Sequence, residues 1–150
     1  MYNLILFLHV LMAITWVGGN IILQILGTRL AAANEPTQLA SFARQVEWIG
    51  TRILTPAALI LVVMGVLMVL DRWSFNLLWV AIGIAGFAYS VINGAVFVGP
   101  MSGKTGKLME ERGPEDATVQ ANIRKLFVYS RIELVILIIV VAAMTLKPTL

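Results

Sequence analysis

Cysteine is absent from this chain of 150 residues, which excludes disulfides, thiolate metal sites and haem attached through thioethers, and leaves the redox compartment open. Charge is nearly as scarce. Asp, Glu, Lys and Arg make up 13% of the residues against 59% hydrophobic ones, and the mean hydropathy is +0.89; a soluble domain of this length does not have that balance. Residues 4–26 contain no charged residue at all. A cleavable signal peptide is not expected either, because Met1-Tyr2-Asn3 lacks a basic segment and the apolar run behind it is too long. Histidine occurs once, at position 9, so any imidazole chemistry in a single chain rests on His9.

What is present is four apolar segments, at residues 4–26, 53–70, 77–98 and 126–146, each near the roughly 20 residues that cross about 30 Å of hydrocarbon. They predict an all-α protein: one domain over 1–150, a bundle of four transmembrane helices running up-down-up-down in a lipid bilayer. The two longer connections and their flanks hold Arg29, Arg44, Arg52, Lys104, Lys107, Arg112, Arg124, Lys125 and Arg131, leaving only Arg72 and Lys147 at the other end. The positive-inside rule then puts both termini on the non-cytoplasmic side of what is expected to be a bacterial inner membrane.

Neither long connection reads as disordered. After Asn34-Glu35-Pro36, a helix start, Leu39, Phe42, Val46, Ile49 and Ile53 recur at helical spacing and lead into span two. Pro114-Glu115-Asp116 likewise opens a segment in which Val119, Ile123, Leu126 and Phe127 share one face and run into span four. Helices two and four are therefore expected to extend into the cytoplasm, their apolar faces packed against each other or laid on the membrane surface. Ser102-Gly103-Lys104-Thr105-Gly106 ends like a phosphate-binding loop, but that pattern needs glycine at position 98, where Val98 stands, and a preceding strand. A flexible turn is the expectation there, and neither nucleotide nor nucleic acid is expected as a partner.

Span one carries polar side chains on one side only. At about 100° per residue, His9, Ala13, Trp16, Asn20 and Gly27 fall within a narrow arc with Gln24 at its edge, and such a face should point into the bundle. Counting about 1.5 Å per residue inward gives two polar layers. The outer one holds His9, Met64, Met68 and Met144, with Trp16 near mid-depth; the inner one holds Asn20, Gln24, Asn93, Arg131 and Glu133. Arg131 and Glu133 are two residues apart and cannot pair on one helix. Glu133 is expected to face the bundle and to bond Asn20, Gln24 or Asn93, since an unpaired carboxylate facing lipid is costly. Span three is dense in small residues, among them Ala81, Gly83, Gly86, Ser90 and Gly94, which permit close helix packing or leave room for a flat cofactor.

Two readings of His9 stand side by side. It can tie two helices together by a hydrogen bond, or it can be an axial ligand of b-type haem, with Met64, Met68, Met144, water or the His9 of a second protomer as the opposite ligand and Trp16 beside it. His9 with thioethers would otherwise suit a soft ion such as Cu(I), while methionines at such positions also serve as core or lipid-facing filler.

The residues also carry a resemblance. The opening Leu8-His9 to Trp16-Val17-Gly18-Gly19, Arg29-Leu30 behind it, Gly65 in span two, Trp79 at the start of span three, Gly99-Pro100 after it and the ending Met144-Thr145-Leu146-Lys147-Pro148 resemble the DUF2269 family of predicted four-helix integral membrane proteins over essentially the whole chain. The same opening and the terminal Lys-Pro are similar to a wider group that includes HemJ-type protoporphyrinogen oxidases and the membrane domain of CopD-type copper proteins. That wider resemblance implies a haem role for His9, with Trp16, Gly19 and Arg29 as its matching neighbours. The chain departs from it in span three, where HemJ-type proteins have a lysine soon after the tryptophan; here Val80, Ala81, Ile82 and Gly83 follow Trp79, and the oxidase activity is not carried over.

Three classes of function follow. The favoured one is a membrane binding or accessory protein, holding b-type haem through His9 or serving as a small subunit of a larger complex or a homo-oligomer. The second is a HemJ-type membrane oxidase of a tetrapyrrole, and the third is a structural subunit without cofactor.

Overall fold

A computed structural model describes residues 1–33 and 36–148. The described residues form helices and short turns, with no strand. In chain order these are α1 (Tyr2–Ala32), α2 (Pro36–Ile49), α3 (Thr55–Arg72), α4 (Leu78–Ile92), α5 (Gly99–Arg112) and α6 (Ala117–Leu146). Helix α2 runs into α3 through a π-helical turn at Gly50–Leu54, and α4 runs into α5 through a second one at Asn93–Val98. Four long helices result, each long and apolar enough to cross a membrane: Tyr2–Ala32, Thr37–Arg72, Leu78–Arg112 and Ala117–Leu146. Of the expected helix start at Asn34-Glu35-Pro36, Asn34 and Glu35 lie outside the described residues.

Both π-turns end just before a proline, Pro56 in one case and Pro100 in the other. Proline has no N–H to give to the carbonyl four residues back and its ring crowds that carbonyl. The ladder widens accordingly: Thr55 N–H bonds Gly50 O and Gly99 N–H bonds Gly94 O, each five residues back. The Thr55 hydroxyl also bonds Gly50 O, at 2.9 Å. The two turns touch each other across the bundle.

Span three continues well past residue 98, which corrects the expected turn at Ser102-Gly103-Lys104-Thr105-Gly106. This stretch is the middle of α5. Its small side chains form a face that beds against α2, so Ser102, Gly103, Thr105 and Gly106 are all buried. A Cβ on Gly106 would lie 2.9 Å from the Ala40 carbonyl oxygen, and one on Gly103 would collide with the Glu47 carboxylate. Composition that reads as a loop in isolation is here what lets two helices approach. The Thr105 hydroxyl turns back onto Met101 O at 2.6 Å. Helices two and four extend as expected, and their faces meet through α5: Ala40, Met109 and Val119 form one buried cluster, with Leu39, Leu108 and Ile123 against it. Arg44 pairs with Glu110 across α2 and α5.

In the membrane bundle α1 packs on α3 and α6, and α4 packs on α6. A core of Trp16, Ala58, Leu61 and Leu137 draws on α1, α3 and α6, with Phe87 of α4 edge-on to Trp16 at 5.5 Å. A second cluster of Val69, Trp79, Val80 and Ala143 closes the end that carries both described termini. There the two family motifs come together: Lys147, in a left-handed cap at φ 46°, lays its ammonium 4.3 Å from the ring of Trp73, which stands edge-on to Trp79. At the start of α6, Asp116 accepts the N–H groups of Thr118 and Val119. These bonds, that from Val119 foremost, hold its carboxyl below the usual carboxylate range. The outward faces carry exposed Phe7, Ile14, Ile25, Leu59, Val63, Ile84, Val135 and Ile138, a surface that belongs in lipid rather than water.

Candidate functional site

The arc on α1 faces inward. Trp16 and Gly27 are buried, and together with Asn20 and Gln24 they line a chamber of about 340 Å³ inside the bundle. The two π-turns form its opposite wall, through Gly50, Thr51 and Leu54 from one and Asn93, Gly94, Ala95 and Val98 from the other. Single π-helical turns inside long helices are rare and frequently lie at functional sites, and here both border the chamber.

Glu133 of α6 sits in the chamber wall at 5% exposure, and Asn93, at the head of the second π-turn, donates its amide to Glu133 Oε2 at 2.9 Å. The expected inward-facing carboxylate is therefore present, with Asn93 as its partner. Asn20 donates instead to the Trp16 carbonyl one turn back, at 2.9 Å. Among the described residues Gln24 Oε1 and Ser90 Oγ are buried and have no hydrogen-bond partner, and both residues line the same chamber. Ser90 is 2% exposed. Leaving a buried acceptor unmade costs about 1–3 kcal/mol, so two of them around one space mark it as more than a packing gap. Arg131 points outward.

The chamber reaches the surface in two places. Glu47 and Thr51, both exposed, lie at the α2 end, where the Glu47 carboxylate rests over Gly103. Leu59 of α3 and Val91 of α4 are 59% and 38% exposed and also line it. These two helices meet chiefly near the turn that joins them, at Val69 against Trp79 and Val80. Away from that contact Leu59 and Val91 stand at the outer edge of the lining.

His9 lies apart from the chamber lining. Its Nδ1 is 2.9 Å from the Leu61 carbonyl oxygen, and a Cβ on Gly65 would come 3.1 Å from its Cε1. A carbonyl only accepts, so Nδ1 carries the proton and Nε2 keeps its lone pair. Met68 and Met144 are half-buried in the same outer region, with the Met144 methyl group filling the space over Gly83. Neither they nor His9 line the chamber; of the residues singled out as a site in sequence, Trp16 alone does. Among the described residues no three His, Asp or Glu side chains gather as a metal cluster would require.

Fold and lining together define an integral membrane protein of four helices with a largely apolar chamber among them that carries a few polar side chains. The chain belongs to the DUF2269 family, described as a predicted integral membrane protein, whose model matches residues 3–148. Neither the curated proteins nor the solved structures gave a match.

Proposed function

We propose that this protein is a ligand-binding protein of the membrane, with the chamber beneath Trp16 as its binding site. The observation that carries the reading is a chamber lined by Gln24 and Ser90, whose side-chain oxygens have no partner among the described residues, together with the Glu133–Asn93 pair. A volume of about 340 Å³ lies at the small end of the range for drug-sized ligands, and an apolar wall with a few convergent polar groups is the usual build of such sites. Nine of the 11 basic residues flank the end from which α2 and α5 project. That distribution supports a cytoplasmic chamber mouth at Glu47, both termini on the far side, and a bacterial inner membrane as the location.

The test is Gln24→Leu, read by native mass spectrometry and thermal unfolding in an uncharged detergent. Wild-type protein should retain a small molecule. The variant should lose it, and with it the thermal stabilisation that a bound ligand confers on the wild type. A variant that is merely less stable, beside wild-type protein that retains nothing, would contradict the reading.

The His9 hydrogen bond favours a second reading, in which the binding function extends to b-type haem. An imidazole whose Nδ1–H is fixed on a backbone carbonyl presents Nε2 in the tautomer and orientation that metal ligation uses. His9 would hold the iron on one side and Met68 or Met144 on the other; the group would supply redox chemistry or electron transfer.

A further inference from the structure

The chamber has an unusual charge balance for a protein with an excess of basic residues. Two carboxylates line it, Glu133 within and Glu47 at the mouth, while no Lys, Arg or His does. Glu133 forms no salt bridge with any described residue; its partner is the neutral Asn93 amide. A carboxylate inside a membrane bundle finds either a cation or a proton, and this chain offers no cationic side chain at the chamber. Trp16, Phe42 and Phe127 add three aromatic side chains to the lining, the residue type whose ring faces attract organic cations. Ser90, 2% exposed, belongs to the same lining, and its Oγ has no hydrogen-bond partner among the described residues. Leu59 and Val91 on one side and Glu47 on another are exposed residues of the lining, where the chamber meets the surface.

We propose that the chamber binds a lipophilic organic cation, an amine or quaternary ammonium with an apolar body, whose charge pairs with Glu133 and whose body lies among the aromatic walls. This rests on the chamber being a binding site, and it names the class of ligand. The ammonium supplies the counter-charge that Glu133 lacks, and an N–H or a bound water on an amine reaches Ser90 and Gln24. Glu47 draws the cation to the mouth and, being exposed to screening solvent, adds less than Glu133.

The experiment is calorimetric titration of the intact protein, in uncharged maltoside detergent, with trimethyl(4-phenylbutyl)ammonium and with its neutral isostere in which carbon replaces nitrogen. The cation should bind at least ten times tighter than the isostere. Glu133→Gln keeps the shape and the Asn93 bond, so it should fold as wild type, elute as a single species and lose that preference. Glu47→Gln should weaken cation binding by a smaller factor without abolishing it. Equal binding of the two probes, unchanged in Glu133→Gln, would overturn the cation assignment while leaving the protein able to bind a neutral apolar ligand. Failure of both probes to bind wild-type protein would overturn the cation assignment too, and the ligand retention measured on Gln24→Leu then decides separately whether the chamber binds anything. Displacement of the bound cation by added phosphatidylethanolamine would assign the amine to a lipid headgroup; its absence would assign it to a free cation, and either result carries the proposal.

Discussion

The bonds made by single side chains in this protein differ in how visible they are in the sequence. His9 spends Nδ1 on Leu61, which ties α1 to α3 and leaves Nε2 to decide whether the residue has a second role. The measurement is the absorption spectrum of gently solubilised protein together with His9→Ala. If haem is held there, wild-type protein shows a Soret band, the variant loses it, and Trp16→Ala only perturbs it, since Trp16 packs on Phe87, Ala58 and Leu137. A band that survives His9→Ala would refute haem at this position. The inward carboxylate was legible because Glu133 is the one acid in an otherwise apolar stretch, and its cost outside the bundle fixes where it must point. Ser90 was not legible as a site residue: in sequence it is one more small residue of span three, and what marks it is the lack of a partner, a property of three-dimensional neighbours. Glu47 reads as an ordinary solvated charge for the same reason.

At the scale of elements, the four spans and the extensions of helices two and four follow from length, apolarity and helical spacing. The π-turns and the continuation of span three do not. A Ser-Gly-Lys-Thr-Gly stretch has little helix preference of its own, and it is helical because its small face fits α2. This gives a contrast between two glycines. Gly106 has the Ala40 carbonyl at its back, a backbone atom that cannot swing away, whereas the space behind Gly83 is held by the flexible end of Met144. Gly106→Ala should therefore cost about 1–3 kcal/mol in unfolding free energy, the range for overpacking a fitted contact. Gly83→Ala should cost less, and can even gain, because alanine is the better helix former. Equal losses at the two positions would show that the α2–α5 contact is not the tight one. The prolines belong to this scale as well. Each removes one N–H from a long helix, the turn before it widens, and the two wide turns, in contact with each other, both line the chamber.

For the whole molecule, the arrangement is a bundle sealed at the terminal end by Trp73, Trp79 and Lys147 and hollow toward the basic end, where α2, α5 and the start of α6 form a helical extension. Its polarity was readable from the distribution of arginines and lysines, while the hollow was not, because a cavity is the volume that side chains leave and no local pattern encodes it. The absence of cysteine makes the chamber directly measurable. Ser90→Cys introduces a single thiol, nearly isosteric with the hydroxyl, deep in the lining; Val135→Cys places one on the outward face, 57% exposed in the protein but turned to lipid. Both are treated in oriented membrane vesicles with a charged, membrane-impermeant thiosulfonate. If the chamber is a polar space reached from the cytoplasmic end, the thiol at position 90 is modified in inside-out vesicles, faster by a cationic than by an anionic reagent, and the thiol at position 135 is not. A position-90 thiol that resists the reagent from both sides, or reacts no faster than the one at position 135, would contradict the account.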